Sequence, residues 1–300
     1  MNAQGVKDEA HLERLFDDPN YVADEKMDGM RAVVHITKDG LRIFSRSAGV
    51  NDPTRPLEKT DALPHLASLQ FPFLAGTVLD CEILVPGKDS AITAGTVHRK
   101  HTNGDSRQVK IFVFDVIFYR DVDLSDMKLY TRMGYLVKVE SEINSRYIEF
   151  LPVAFSPAEK RKLYQSVLKQ GGEGVMFKNL YAKYVQGGRP VNNWFKAKKS
   201  ATFDCILMGF TNGAGKYNNR IGAVEFGQFV NGNLTKLGRA SGMTDEVRED
   251  MSLHPEKYIG KVITIRGMER LKSGKIRHPQ FGGIREDKKP KDCVWYKSEQ

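Results

Sequence analysis

The chain has 300 residues, 40% hydrophobic and 28% charged, which suits one large globular core or two modest ones rather than a disordered or fibrous protein. No apolar run approaches the roughly 18 residues of a membrane span, and residues 1–9 lack the basic-then-apolar order of a signal peptide, so the expected setting is cytoplasmic with no membrane partner. The net charge of +9 is uneven: residues 178–199 hold six Lys/Arg and no acidic residue, and residues 257–297 hold twelve against four Asp/Glu, which favours a polyanionic partner.

In chain order, residues 31–37 and 41–46 flank Lys38-Asp39-Gly40 as a hairpin. Residues 78–85 and 110–119 are strand candidates, the second cut by Asp115. Ser156-Pro157-Ala158-Glu159 is a capping box with proline at the first helical position, opening a helix through Leu163, Val167 and Leu168 that Gly171-Gly172 stops. Strands follow at 174–178 and 194–198. Beyond Ser200 the pattern changes to short strands at 203–210, 223–230, 234–240 and 262–266, with a turn at Asn231-Gly232-Asn233 and one helical stretch near 245–251. Such a segment suits a small OB-type barrel. The expected architecture is α+β, with a first domain over 1–200 of mixed sheets and helices and a barrel over 201–300.

Chemistry concentrates at Glu25-Lys26-Met27-Asp28-Gly29-Met30-Arg31, on a turn just before a strand. A turn lysine can be inert; it can also be a nucleophile once deprotonated, which a crowd of cations and a divalent metal promotes against the ordinary lysine pKa of about 10.4. Lys196 and Lys198 are two apart, so on a strand they share a face and can grip phosphate; a solvated edge strand is the alternative.

Joint occurrence in order carries more than any one segment. K-x-D-G-x-R at 26–31 resembles motif I of the covalent nucleotidyltransferases, which comprise DNA ligases, RNA ligases and mRNA capping enzymes. Ser45-Arg46 resembles motif Ia. Leu79-Asp80-Cys81-Glu82-Ile83-Leu84 resembles motif III, with Cys81 where the family usually has glycine. Val113-Phe114-Asp115-Val116 resembles motif IIIa, Glu173-Gly174-Val175-Met176-Phe177-Lys178 motif IV and residues 194–199 motif V. Arg277-His278-Pro279-Gln280-Phe281 with Arg285-Glu286-Asp287-Lys288 resembles motif VI. The forms of motifs IV, V and VI are similar to those of ATP-dependent DNA ligases. The short stretch before Lys26 resembles the minimal ligases of bacteriophages and other viruses, which would make the compartment a host cytoplasm.

The resemblance implies a nucleotidyltransferase (adenylation) domain followed by an OB-fold, acting as a monomer on nicked double-stranded DNA with ATP and Mg²⁺, for which Mn²⁺ can stand in. It implies that Lys26 carries AMP as a phosphoramidate. Arg31 and Glu82 would contact the ribose or the nick, Arg46 the nick phosphate or the adenylate, and Phe114 would stack on adenine. Glu82 and Glu173 would engage the metal, and Lys196 and Lys198 the phosphate oxygens. Arg285, Asp287 and Lys288 would orient the pyrophosphate when the barrel domain closes. Three displacements at phosphorus follow: Lys26 on ATP, the 5′-phosphate of the nick on the lysyl adenylate, and the 3′-hydroxyl on the adenylated end. An RNA ligase, a guanylyltransferase or a non-catalytic nucleic-acid-binding module are the rivals.

Other segments are expected to be inert. Gly213-Ala214-Gly215-Lys216 lacks the glycine and the Ser/Thr a P-loop needs, since Phe210 and Tyr217 stand there. His98 and His101 have no third ligand at metal spacing, and Cys81, Cys205 and Cys293 are expected to be isolated thiols.

Overall fold

A computed structural model describes residues 2–48, 55–88, 90–98, 104, 106–188, 190–199, 201–271 and 273–296. His101 and Arg189 lie outside the described residues. The chain separates into two compact units, Met1–Lys198 and Lys199–Gln300.

In the first unit a seven-stranded sheet runs in the order Pro56–Glu58, Leu41–Ala48, Met30–Ile36, Thr77–Leu84, Lys110–Tyr119 and Val122–Asp123, with Ile148–Phe150 pairing parallel to Lys110–Tyr119. Alternation decides its faces: Ala32, Val34 and Ile36 point to the core with Leu41 and Ile43 opposite, while Arg31 and His35 point the other way. Cys81 lies on the core face between Ala32 and Val113, fully buried, where a small apolar side chain suffices. The turn at Lys38-Asp39-Gly40 requires its glycine, because a Cβ there would lie 2.2 Å from the Ala67 carbonyl oxygen and φ is +143°.

A second, four-stranded sheet runs Gln4–Gly5, Trp194–Lys198, Gly174–Asn179 and Tyr21–Glu25. Helices Glu9–Asp17 and Pro157–Lys169 cover one face, burying Leu15, Phe16, Val167, Phe177 and Phe195, each contributing about 1.5–3 kcal/mol when fully enclosed. The second helix starts as its sequence predicts: the Ser156 hydroxyl accepts from the Glu159 amide at 3.2 Å and the Glu159 carboxylate accepts from the Ser156 amide at 2.9 Å. Strand Trp194–Lys198 pairs with Gly174–Asn179 along its length and with Gln4–Gly5 at Phe195 and Lys196, so Lys196 does not stand on a sheet edge.

Helices Glu9–Asp17 and Leu129–Glu142 are not among the expected elements, although the first is signalled locally by Asp8, which caps the His11 amide, and by Leu12, Leu15 and Phe16 at helical spacing. Glu9–Asp17 is only nine residues long. Leu129–Glu142 has no side-chain cap at Lys128, and a charged residue, Arg132, occupies a fully buried position in it.

In the second unit five strands, Asn233–Ala240, Ile221–Val230, Ala201–Asn212, Val262–Gly267 and Gln280–Ile284, lie in that order, with Val294–Trp295 parallel to Ile221–Val230. The Phe281 amide donates to the Ser241 carbonyl at 2.8 Å and joins the two ends of the path, which gives a small OB-like barrel. Helix Asp245–Leu253 packs on it, and the Gly213–Lys216 segment is a loop between two barrel strands.

Candidate active site

A cavity of about 470 Å³ opens in the first unit, walled by both of its sheets. Lys26 stands on the loop between Tyr21–Glu25 and Met30–Ile36, and its amide donates to the Gly174 carbonyl at 2.9 Å. Gly29 permits that loop to lie against the motif III strand, and Gly174 permits its own strand to approach Trp194–Lys198. A Cβ on Gly29 would sit 2.5 Å from the Ile83 carbonyl oxygen, and one on Gly174, at φ +140°, would sit 2.0 Å from that of Ala197.

The Lys26 ammonium donates to the buried Glu173 carboxylate, whose other oxygen pairs with Lys198 Nζ at 2.5 Å. The carboxylate therefore bridges two of the site's ammoniums, an ion pairing that the expected metal role of Glu173 did not include. Lys196 and Lys198 share the cavity face with Trp194, while Phe195 and Ala197 point into the core.

On the opposite wall Arg31 and Glu82 are directly paired across neighbouring strands. Burial pushes the Glu82 carboxyl up to about 7; the Lys26 and Arg31 charges oppose that rise, and the Glu173 and Asp80 charges add to it. Arg31 is held from behind by Asp80, which is fully buried and accepts from Nε at 2.9 Å and also from the adjacent guanidinium nitrogen. Phe114 is the extra residue of a bulge, since Asp80 pairs with Asp115 and Cys81 with Val113. The bulge turns it out of the core alternation and into the cavity wall. Arg46, exposed, lines the mouth and donates to the Asn2 side chain at 3.3 Å.

The structure thus gathers Lys26, Arg31, Arg46, Glu82, Phe114, Lys196 and Lys198 around one cavity, with Glu173 immediately behind Lys26. Arg285 and Lys288 belong to the second unit. There Asp287 accepts from Arg285 at 2.8 and 2.7 Å, and Asp204 does so at 3.2 Å; hydrogen bonding to Arg285 holds the Asp287 carboxyl down at about 2.

Several cavity residues carried no assigned role in the sequence reading. Lys178 pairs with Asp24, lies 3.3 Å from the Phe114 carbonyl oxygen and packs against the Phe114 and Trp194 rings, 4.6 and 4.8 Å from their centroids. Desolvation raises the Asp24 carboxyl against the pull of Lys178. Asp24 Oδ1 and Trp194 Nε1 are buried without a hydrogen-bond partner. Spacing by two from Gly174 and Lys196 would have found Met176, Lys178 and Trp194. Asp80 lies in the motif III segment without an assigned role, and nothing local marks Tyr184.

Among the described residues no group of three or more His, Cys, Asp or Glu could hold a metal. His98 Nδ1 faces Lys59 Nζ at 2.9 Å, and all three cysteines are free and buried. No helix among the described residues is long and apolar enough to cross a membrane.

Residues 1–198 match the model of the ATP dependent DNA ligase domain, and residues 212–285 that of the DNA ligase OB-like domain. The chain belongs to the ATP-dependent DNA ligase family. It is 27% identical over 302 residues to a DNA ligase of Haloarcula marismortui, covering 88% of this chain and 51% of that one. It is 30% identical over 230 residues to a probable DNA ligase of Kineococcus radiotolerans, covering 74% and 43%. The chain spans about half the length of the curated relatives it matches. Among solved structures it is similar in fold to Pmar-Lig_Pre, with TM-score 0.69, 21% identity and coverage of 96% of this chain and 67% of that one. A Lig E DNA ligase gives TM-score 0.64, 20% identity and coverage of 95% and 99%.

Proposed function

We propose that this chain seals 3′-hydroxyl/5′-phosphate nicks in duplex DNA with ATP, as a cytoplasmic monomer, through an adenylate on Lys26. The observation that carries the reading is Lys26 standing in a cavity with Lys196 and Lys198, its ammonium paired with buried Glu173, in a chain of the ATP-dependent DNA ligase family.

Lys26 Nζ would attack the α-phosphate of ATP, forming the N–P bond as the bond to pyrophosphate breaks. Glu173 is within hydrogen-bond reach of Nζ and is the candidate acceptor of the proton that the amine must lose. Lys196 and Lys198 would hold phosphate oxygens on which negative charge builds, Phe114 would offer its face to adenine, and Arg31 with Glu82 would line the ribose side. AMP then passes to the 5′-phosphate, and the 3′-hydroxyl displaces it; Arg46 at the mouth suits that end of the substrate. Arg285 and Lys288 are assigned to phosphate contacts of the second unit, and the basic segments to DNA phosphates without base readout.

Mg²⁺ fits this donor set. Glu82 and Glu173 are oxygen donors, and the Glu173 charge opposes ionisation of Glu82, a conflict that a hard cation relieves; Mg²⁺ commonly uses one or two carboxylates plus substrate phosphates. Glu82 and Glu173 would hold it, or Mn²⁺ in its place, and it would neutralise charge on the transferring phosphate.

The test is sealing of a labelled nicked duplex with Mg²⁺ and ATP, with Lys26→Ala beside the wild type. Sealing by the wild type and loss of at least about a thousandfold in the variant are expected for removal of a covalent nucleophile. Labelling by GTP instead of ATP, or sealing of RNA nicks alone, would overturn the DNA-ligase reading.

A further inference from the structure

Behind Arg31 the fold builds a closed polar unit that the mechanism above leaves unused. Asp80 is fully buried on strand Thr77–Leu84 and receives both Arg31 bonds described above. A third donor reaches it from far along the chain: the Tyr184 hydroxyl donates to Asp80 Oδ2 at 2.8 Å. The Arg31 guanidinium in turn lies 3.4 Å from the same hydroxyl oxygen. Arginine, tyrosine and aspartate therefore close a small ring of hydrogen bonds. Burial and the neighbouring Asp80 charge raise the Tyr184 phenol, so the hydroxyl keeps its proton and remains a donor.

Tyr184 does not line the cavity; Arg31 does. The segment that presents Tyr184 is fixed independently, since its amide donates to the Ser125 carbonyl at 2.9 Å and its ring lies 5.8 Å from the guanidinium of fully buried Arg132. A long arginine on a cavity wall has several rotamers, and a two-point grip by one carboxylate still allows the pair to tilt together. A third, separately anchored donor on the same carboxylate removes that freedom.

We propose that Tyr184 is a positioning residue for nucleotide binding: through Asp80 it fixes the direction in which Arg31 presents its charge to the ATP ribose side of the cavity. This rests on the adenylation reading above. Tyr184→Phe keeps the ring and its packing and removes only the hydroxyl. Loss of its bond to Asp80 and of its long contact with Arg31 implies a change of about three- to tenfold.

The experiment is covalent labelling of the full chain by radiolabelled ATP over a range of ATP concentrations, wild type beside Tyr184→Phe, with the thermal midpoint of each. The expected result is a three- to tenfold higher apparent KM for ATP, with the plateau rate changed by less. A purely structural role would lower the midpoint and the labelled fraction but leave the KM of the folded molecules in place. A variant KM within twofold of a normally labelled wild type overturns the positioning role alone. A wild type that takes no label from ATP overturns the adenylation reading and the role of Tyr184 with it.

Discussion

Arg132→Met tests whether one buried ion pair holds the wall that carries Phe114. Arg132 is 0% exposed and its partner Asp115 is 1% exposed. The guanidinium donates to both Asp115 oxygens, at 2.9 and 2.8 Å, and to the Met127 and Ala182 carbonyls at 2.7 and 3.2 Å. Methionine fills most of the volume but satisfies none of these acceptors, so the Asp115 carboxylate stays buried with the Val116 amide but without its charge partner, and the Met127 and Ala182 carbonyls each lose a donor, Ala182 keeping that of the Leu129 amide. Breaking such a pair costs about 3–5 kcal/mol. At roughly 2–4 °C per kcal/mol for a unit of this size, the thermal midpoint should fall by about 6–20 °C. Because Asp115 follows Phe114 on the bulged strand, ATP labelling should weaken even below the new midpoint. The assay is urea unfolding followed by tryptophan fluorescence, beside labelling at a temperature where both proteins are folded. A loss under about 1 kcal/mol would refute the claim that this pair anchors the wall. The double variant Arg132→Met/Asp115→Leu, which strands no charge, should recover part of the loss.

Glu82→Gln should make stability less dependent on pH. With the folded carboxyl raised to about 7 against an ordinary glutamate value near 4.5, the folded state binds the extra proton between those values, so wild-type stability is full below about pH 4.5 and declines as pH rises through 7. The variant should match the wild type near pH 4.5 and exceed it by up to about 3 kcal/mol at pH 8, measured by urea unfolding at both; an offset independent of pH would reject the assignment. Lys160→Met removes an ammonium that donates to the Leu15, Asp18 and Tyr21 carbonyls at 3.1, 2.8 and 3.0 Å, closing the C-terminal end of helix Glu9–Asp17. It should cost on the order of 2 kcal/mol and expose that helix first, seen as early proteolytic cleavage there; unchanged protection would count against the capping role.

What the sequence made legible follows from how local each signal is. The hairpin at Lys38-Asp39-Gly40, the Ser156 capping box and the paired lysines at 196 and 198 are set by residues within four positions of one another, where turn chemistry and strand alternation act directly. The side chains around Lys26 were reachable only because each sits in a short motif. What joins them is not local: Lys26 meets Glu173 across 147 positions, Arg31 meets Asp80 across 49 and Asp80 meets Tyr184 across 104. Helix Leu129–Glu142 was hidden for a related reason, since its buried arginine reads as a solvent-facing charge until Asp115, on another strand, is brought against it. A charge can be carried into a core only with its partner, and one-dimensional periodicity treats that partner as an unrelated residue. The same physics makes Glu173 informative. A carboxylate 6% exposed is a costly element to bury for packing alone, and its two ammonium partners both face the cavity. Glu173 therefore offsets part of the site's positive charge before any nucleotide arrives. On the proposed adenylation reading, an incoming phosphate would compete with Glu173 for Lys198 as it approaches Lys26, and that competition would free the carboxylate at the position where the attacking amine would lose its proton.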